Sequence, residues 1–161
     1  MLIGIVADIH DAVQPLARAL AILRERGAQR IVTLGDAFET IEPGSPGPGV
    51  ARLLAGVEAA GVWGNHDYAL SHDVPNEVRK QADPALLAFS TRLQPQLVVE
   101  GCRFCHIEPW KDPFDLMDLW SFDSFPETPP DRYLVLVPAV LRGSCALFDT
   151  ERSELTMIRC A

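Results

Sequence analysis

Three short apolar runs, each cut off by a polar motif, constrain the fold of this chain more than any other feature. Residues 2–7 run into Asp8-Ile9-His10, residues 31–34 run into Gly35-Asp36, and Gly61-Val62-Trp63 runs into Gly64-Asn65-His66-Asp67. Continuous apolar runs rich in β-branched residues read as strands buried on both faces of a parallel sheet. In open α/β sheets ligands collect outside the carboxyl ends of the strands. All three ends carry oxygen or nitrogen donors here. An amide, an imidazole and a carboxylate side by side on a loop pack poorly, but they suit a metal and a phosphate.

The segments between these runs support the same class. Asp11 is a candidate helix N-cap. Val13, Leu16, Ala17, Leu20 and Leu23 recur at helical spacing, with Arg18, Arg24, Glu25 and Arg26 on the opposite face. Gly27 supplies the C-cap. The first unit is therefore a strand–helix–strand crossover, right-handed by the general rule. Residues 42–49, Glu-Pro-Gly-Ser-Pro-Gly-Pro-Gly, read as an irregular loop beside the site, because Pro removes donors and Gly costs backbone entropy. A short helix is expected over 50–60, ending at Gly61, with Val62-Trp63 as the third strand. Residues 68–82, including His72, read as a polar rim loop. Asp83-Pro84 opens a helix carrying Leu86, Leu87, Phe89 and Leu93. Residues 96–100 and 102–107 read as a hairpin across Gly101. Residues 108–130 form a long segment rich in Pro, Asp and aromatics, with a short helix over 115–120. Strands are expected over 133–137, 144–149 and 154–159, with a turn near 150–153.

Asp-x-His, Gly-Asp and Gly-Asn-His-Asp, in this order and each after a strand, resemble the motifs of the calcineurin-like metallophosphoesterase superfamily. The likeness covers roughly the first two-thirds of the chain. It implies an α/β fold, a sandwich of two mixed β-sheets flanked by helices, here shortened near the C-terminus and forming one domain. It also implies two divalent metal ions (manganese, iron, zinc or nickel) and hydrolysis of a phosphomonoester or phosphodiester by metal-activated water. By the resemblance Asp8 and His10 bind the first metal, Asp36 bridges both, and Asn65 and His106 bind the second. His66 is catalytic, donating a proton or hydrogen bond to the leaving group; Asp67 orients its ring. Asn65 and His66 contact the substrate. Each residue also has a plainer reading: Asp8 as a helix cap, His10 and His72 as solvated loop residues, Asp36 as a turn aspartate, His106 as a structural histidine. Glu108 would share a strand face with His106.

One family feature is absent. A late Gly-His-x-His motif would complete both metal sites, but the chain has four histidines and none follows His106. Each metal then keeps three protein ligands: Asp8, His10 and Asp36 for one; Asp36, Asn65 and His106 for the other. A second reading follows, of a degenerate member that binds metal or a phosphorylated ligand with little or no turnover. Strand edges left exposed by a deletion would favour a homodimer.

The resemblance implies a small phosphorylated substrate as the partner, and bulk properties argue against other classes. At 161 residues the chain suits one domain with a proper core. Its net charge of −8 argues against a nucleic-acid-binding patch. No apolar run reaches the length of a membrane span, and the apolar start lacks a basic leader, so the expected location is cytoplasmic. Cys102-Arg103-Phe104-Cys105-His106 matches the haem-attachment spacing. Strand residues three apart point to opposite faces, however, so the four cysteines read as reduced and mostly buried thiols.

Overall fold

The computed structural model describes residues 1–72, 74–106 and 139–160. The expected α/β architecture is present. Strand β1 (Leu2–Val6) pairs in parallel with β2 (Arg30–Leu34), and β2 pairs in parallel with β3 (Ala60–Val62). On the other side of β1 lies β6 (Ser144–Asp149), antiparallel, followed by β7 (Glu154–Arg159). The sheet order is β3-β2-β1-β6-β7. A separate antiparallel hairpin joins β4 (Leu97–Val99) to β5 (Cys102–Phe104). Glu100 and Gly101, both at positive φ, form its turn, and two such residues in succession match the strand twist of a tight hairpin.

The alternation of side chains along each strand splits the interior in two. Ile3, Ile5, Val32 and Ala146 face the hairpin and meet Val99 and Phe104, giving the second β layer. Val6, on the opposite face of β1, meets the helices α1 (Val13–Glu25), α2 (Gly47–Gly56) and α5 (Pro84–Ser90), which contribute Leu16, Leu23, Leu54, Leu86 and Phe89. β1 is thus buried on both faces, which is why its run is apolar throughout. A 3-10 turn, Val140–Arg142, sits over the end of β1, with Val140 N–H donating to the Ala7 carbonyl at 2.8 Å.

Several local details differ from the sequence expectations. The N-cap of α1 is Ala12, without a side-chain cap, and Asp11 sits at φ 58 just before it. Ala19, not Ala17, completes the buried stripe of α1. The helix ends as expected: Gly27 N–H donates to the Arg24 carbonyl and Ala28 N–H to that of Leu23, the paired bonds of a Schellman cap. Helix α2 starts inside the Pro/Gly stretch, because Pro48 falls in the first turn, where its missing N–H has no partner to lose. Residues 68–82 are not a loop. They form α3 (Tyr68–His72) and α4 (Asn76–Gln81). His72 is exposed, as expected, but lies on α3 rather than on a loop; its ring stacks on Tyr68 at 4.6 Å and meets Trp63 edge-on at 5.4 Å. Asp83 caps α5 by accepting from Ala85 N–H at 2.8 Å, as its sequence position implies. Cys145 and Cys160 are buried, and Cys102 and Cys105 are half-buried. The expectations for 107–138, including Glu108 and the strand at 133–137, fall outside the described residues. No helix among the described residues is long and apolar enough to cross a membrane.

Candidate metal centre

Because β1, β2 and β3 are parallel, their carboxyl ends open on one edge, and the three motif loops meet there. The backbone laces them together. Asp8 N–H donates to the Gly35 carbonyl, Ile9 and His10 N–H to that of Asp36, and Asp11 N–H to that of Ala37, at 2.8–3.2 Å. The lacing strains the backbone: Asp8, His10, Asp11 and Asp36 all take positive φ, between 46 and 58°. Such conformations cost on the order of 1 kcal/mol each and persist where surrounding bonds over-determine them. Asp and His tolerate this region better than most residues.

The third loop is tied in by Asp67. Its buried carboxylate accepts from Ala37 N–H at 3.0 Å, Phe38 N–H at 3.0 Å and Gly64 N–H at 3.2 Å. Burial pushes this carboxyl up to about 6, against the opposing pull of those three N–H groups. Gly64 lies so close that a side-chain carbon there would strike the Asp36 carboxylate and come within 2.7 Å of the Asp36 backbone nitrogen. Phe38, fully buried, packs edge-on against Phe89 at 6.1 Å and anchors the outgoing chain.

On this frame Asp36 sits at the middle, 5% exposed. One carboxylate oxygen, Oδ1, accepts from His66 N–H at 3.0 Å. The other, Oδ2, lies 3.5 Å from His106 Nε2 and 4.0 Å from His10 Nε2. His106 Nδ1 donates to the Leu34 carbonyl at 2.7 Å. That bond fixes the tautomer and leaves the Nε2 lone pair facing Asp36 and Asn65 Oδ1, the latter 3.4 Å away. The donor atoms of Asp8, Asp36 and His106 lie within 4.8 Å of one another, a spacing and donor chemistry that fit a divalent ion. Burial raises the Asp8 carboxyl above its ordinary range, with the His106 imidazole opposing that rise.

Seven residues singled out in the sequence, Asp8, His10, Asp36, Asn65, His66, Asp67 and His106, thus converge on one sheet edge. The structure departs from expectation at Asp67, whose oxygens are taken by backbone N–H groups. The carboxylate against the His66 ring is Glu39: Glu39 Oε2 lies 3.1 Å from His66 Nδ1, and Glu39 Oε1 is in direct contact with His10 Nδ1. Sequence reasoning missed Glu39, although its place three residues after Asp36, on the same rim loop, put it within reach.

This sheet edge gathers carboxylates and imidazoles from successive parallel strands of an α/β fold, a donor set that could hold a divalent ion. The sequence matches the calcineurin-like phosphoesterase superfamily domain over residues 1–116, and the chain belongs to that superfamily. Among solved structures it is similar to a metallophosphoesterase from Sphaerobacter thermophilus, at 19% identity and a TM-score of 0.66, covering 99% of this chain and 87% of that one. It is also similar to a hypothetical protein from Pyrococcus horikoshii (16% identity, TM-score 0.61, 98% and 87% covered) and to a protein of Thermus thermophilus (12%, 0.59, 99% of each). At these identities the likeness is one of fold. No curated protein matches the sequence.

Proposed function

We propose that the protein is a metal-dependent phosphoesterase acting on a small phosphorylated substrate. The observation that supports this most is the setting of Asp36. One of its oxygens is tied to the His66 backbone, and the other lies between two imidazole Nε2 atoms from different loops. Asp8, His10 and Asp36 would hold one ion and Asp36, Asn65 and His106 the other; such ions supply Lewis-acid stabilisation of phosphoryl charge and lower the pKa of a water.

The chain's own residues do the remaining work. Asn65 and His66 are exposed at the rim, where a phosphate group can reach them. His66 offers its ring to the leaving oxygen as a hydrogen-bond or proton donor, a role worth roughly 10²–10⁴-fold in rate. No serine or cysteine nucleophile is required. Asp67 fixes the loop that carries both residues.

A second reading has one specific observation behind it. The chain has four histidines and none after His106, which leaves fewer imidazoles for two ions. Hydrolysis of a chromogenic phosphodiester with and without Mn²⁺, run beside Asp36→Asn, decides between the two. Manganese-dependent turnover lost in the variant is the expected result. A folded wild-type protein with no turnover above the variant would contradict it and favour a ligand-binding member without catalysis.

A further inference from the structure

We infer that Cys145 and Cys160 are a redox pair: a disulfide between them, made by exchange with a small-molecule disulfide, staples β6 to the end of β7. The inference stands apart from the phosphoesterase reading and needs no metal.

The fold brings together two thiols that the sequence keeps 15 positions apart. The antiparallel register of β6 and β7 places Cys145 opposite Ile158. The pairing continues past β7, where Cys160 N–H donates to the Gly143 carbonyl at 2.7 Å. Residues two apart on a strand share a face, so Cys160 is the diagonal neighbour of Cys145 on the side facing the helices. Both belong to the buried cluster of Leu16, Ala19 and Val140, at 0% and 1% exposure.

Their Sγ atoms are 3.1 Å apart, about 1 Å beyond the ~2.05 Å of a sulfur–sulfur bond. The backbone around Cys160 is held on both sides, its N–H by Gly143 and its carbonyl by Arg18 Nε at 3.4 Å. The gap is small against side-chain rotation, and the strands that carry the pair are already in register. Two sulfurs cannot complete a tetrahedral zinc site, and the clusters of metal-ligating groups among the described residues include neither. Redox chemistry is therefore the use this pair can have.

The step balances as two exchanges. The Cys160 thiolate attacks one sulfur of oxidised glutathione, whose S–S bond breaks and releases one glutathione thiol. The Cys145 thiolate then attacks the Cys160 sulfur and expels the second. The protein gives up two protons and two electrons, and the oxidant is reduced to two thiols. Only the thiolate attacks, and burial, with Cys160 beside it, pushes the Cys145 thiol up to about 12. Exchange is therefore slow while the pair is sealed and proceeds through opening of β7, an edge strand of the described sheet.

The bond would close the loop from 145 to 160 and restrict the unfolded chain. β6 also follows directly on the turn Val140–Arg142, where Val140 and Leu141 N–H donate to the Ala7 and Asp8 carbonyls at 2.8 and 3.3 Å. A staple on β6 thus secures the turn that backs Asp8.

The test incubates the full chain with oxidised glutathione in urea below the unfolding transition. Acid quenching, alkylation in denaturant and peptide mapping follow, with Cys145→Ala and Cys160→Ala run alongside. Blocked alkylation at Cys145 and Cys160, with a mass showing the two joined, is the expected result. The thermal midpoint of the oxidised wild type should rise by about 5 °C or more, fall back on reduction, and show no such rise in either variant. Full alkylation of both cysteines would overturn the inference. So would glutathione retained on either one, or a joined pair whose midpoint is unchanged or lowered. The mapping uses the wild type alone, so it decides the matter even if a variant does not fold.

Discussion

The floor and the rim of the site are built on different principles. The floor, Asp36, Asp67 and Gly64, is buried and held by backbone N–H groups that are fixed by the fold itself. The rim, His10, Glu39 and His66, is partly exposed and held by contacts among side chains. The contrast teaches that a buried carboxylate in such a site is part of the chain's architecture as much as of its chemistry. An exposed one can tune chemistry at small cost to stability. Substitutions in the floor should disturb folding and metal binding together, whereas substitutions in the rim should separate them.

The largest effect is expected at Gly64→Ala. The added carbon meets the Asp36 carboxylate and backbone, neither of which can move without breaking the loop lacing. Loss of about 3 kcal/mol, read from the urea midpoint, is the prediction. An unchanged midpoint would mean the floor is softer than described.

Asp67→Asn comes next. An amide cannot satisfy all three backbone donors, so roughly 2 kcal/mol should be lost. The pH dependence sharpens the point. The folded Asp67 carboxyl is raised to about 6, above an unfolded value near 3.9. The folded state therefore binds the extra proton, and the Asp67 contribution to stability is fully present below about pH 4 and lost as pH rises through about 6. Unfolding curves across that window should show this slope in wild type, and the slope should be smaller in the variant.

At the rim, His66→Ala should lower kcat by about 100-fold or more. Because its side chain is 38% exposed, the unfolding midpoint should move by less than about 0.5 kcal/mol. A large loss of stability there would erase the distinction between floor and rim. Cys102→Ser, at a half-buried thiol on the hairpin, should change neither activity nor stability measurably.

The parts of this molecule legible in the sequence are those where local pattern and tertiary need agree. β1 is apolar throughout because both its faces are covered, and the Glu100-Gly101 turn declares its hairpin. Ser144–Asp149, an apolar run between Gly143 and the turn at 150–153, and the more mixed Glu154–Arg159 beyond that turn are bounded clearly enough to place their ends. Helix α2 is harder to see because a proline in a first turn looks like a loop until the turn itself is known. Helices α3 and α4 are too short to show a periodic stripe. Within the site, the motif residues carry their own signal, since each follows a strand. The partners of Asp67 and His66 do not. Asp67 bonds to backbone, which no side-chain pattern encodes, and Glu39 reaches two imidazoles from other loops, a contact only the tertiary fold creates.

The most direct test of the central claim, that three strand ends gather a metal centre around Asp36, is titration of the protein with Mn²⁺ by calorimetry, in wild type and Asp36→Asn. Two ions bound per chain in wild type and loss of tight binding of both in the variant is the predicted result. An Asp36→Asn protein that is folded and binds Mn²⁺ as wild type does would contradict it.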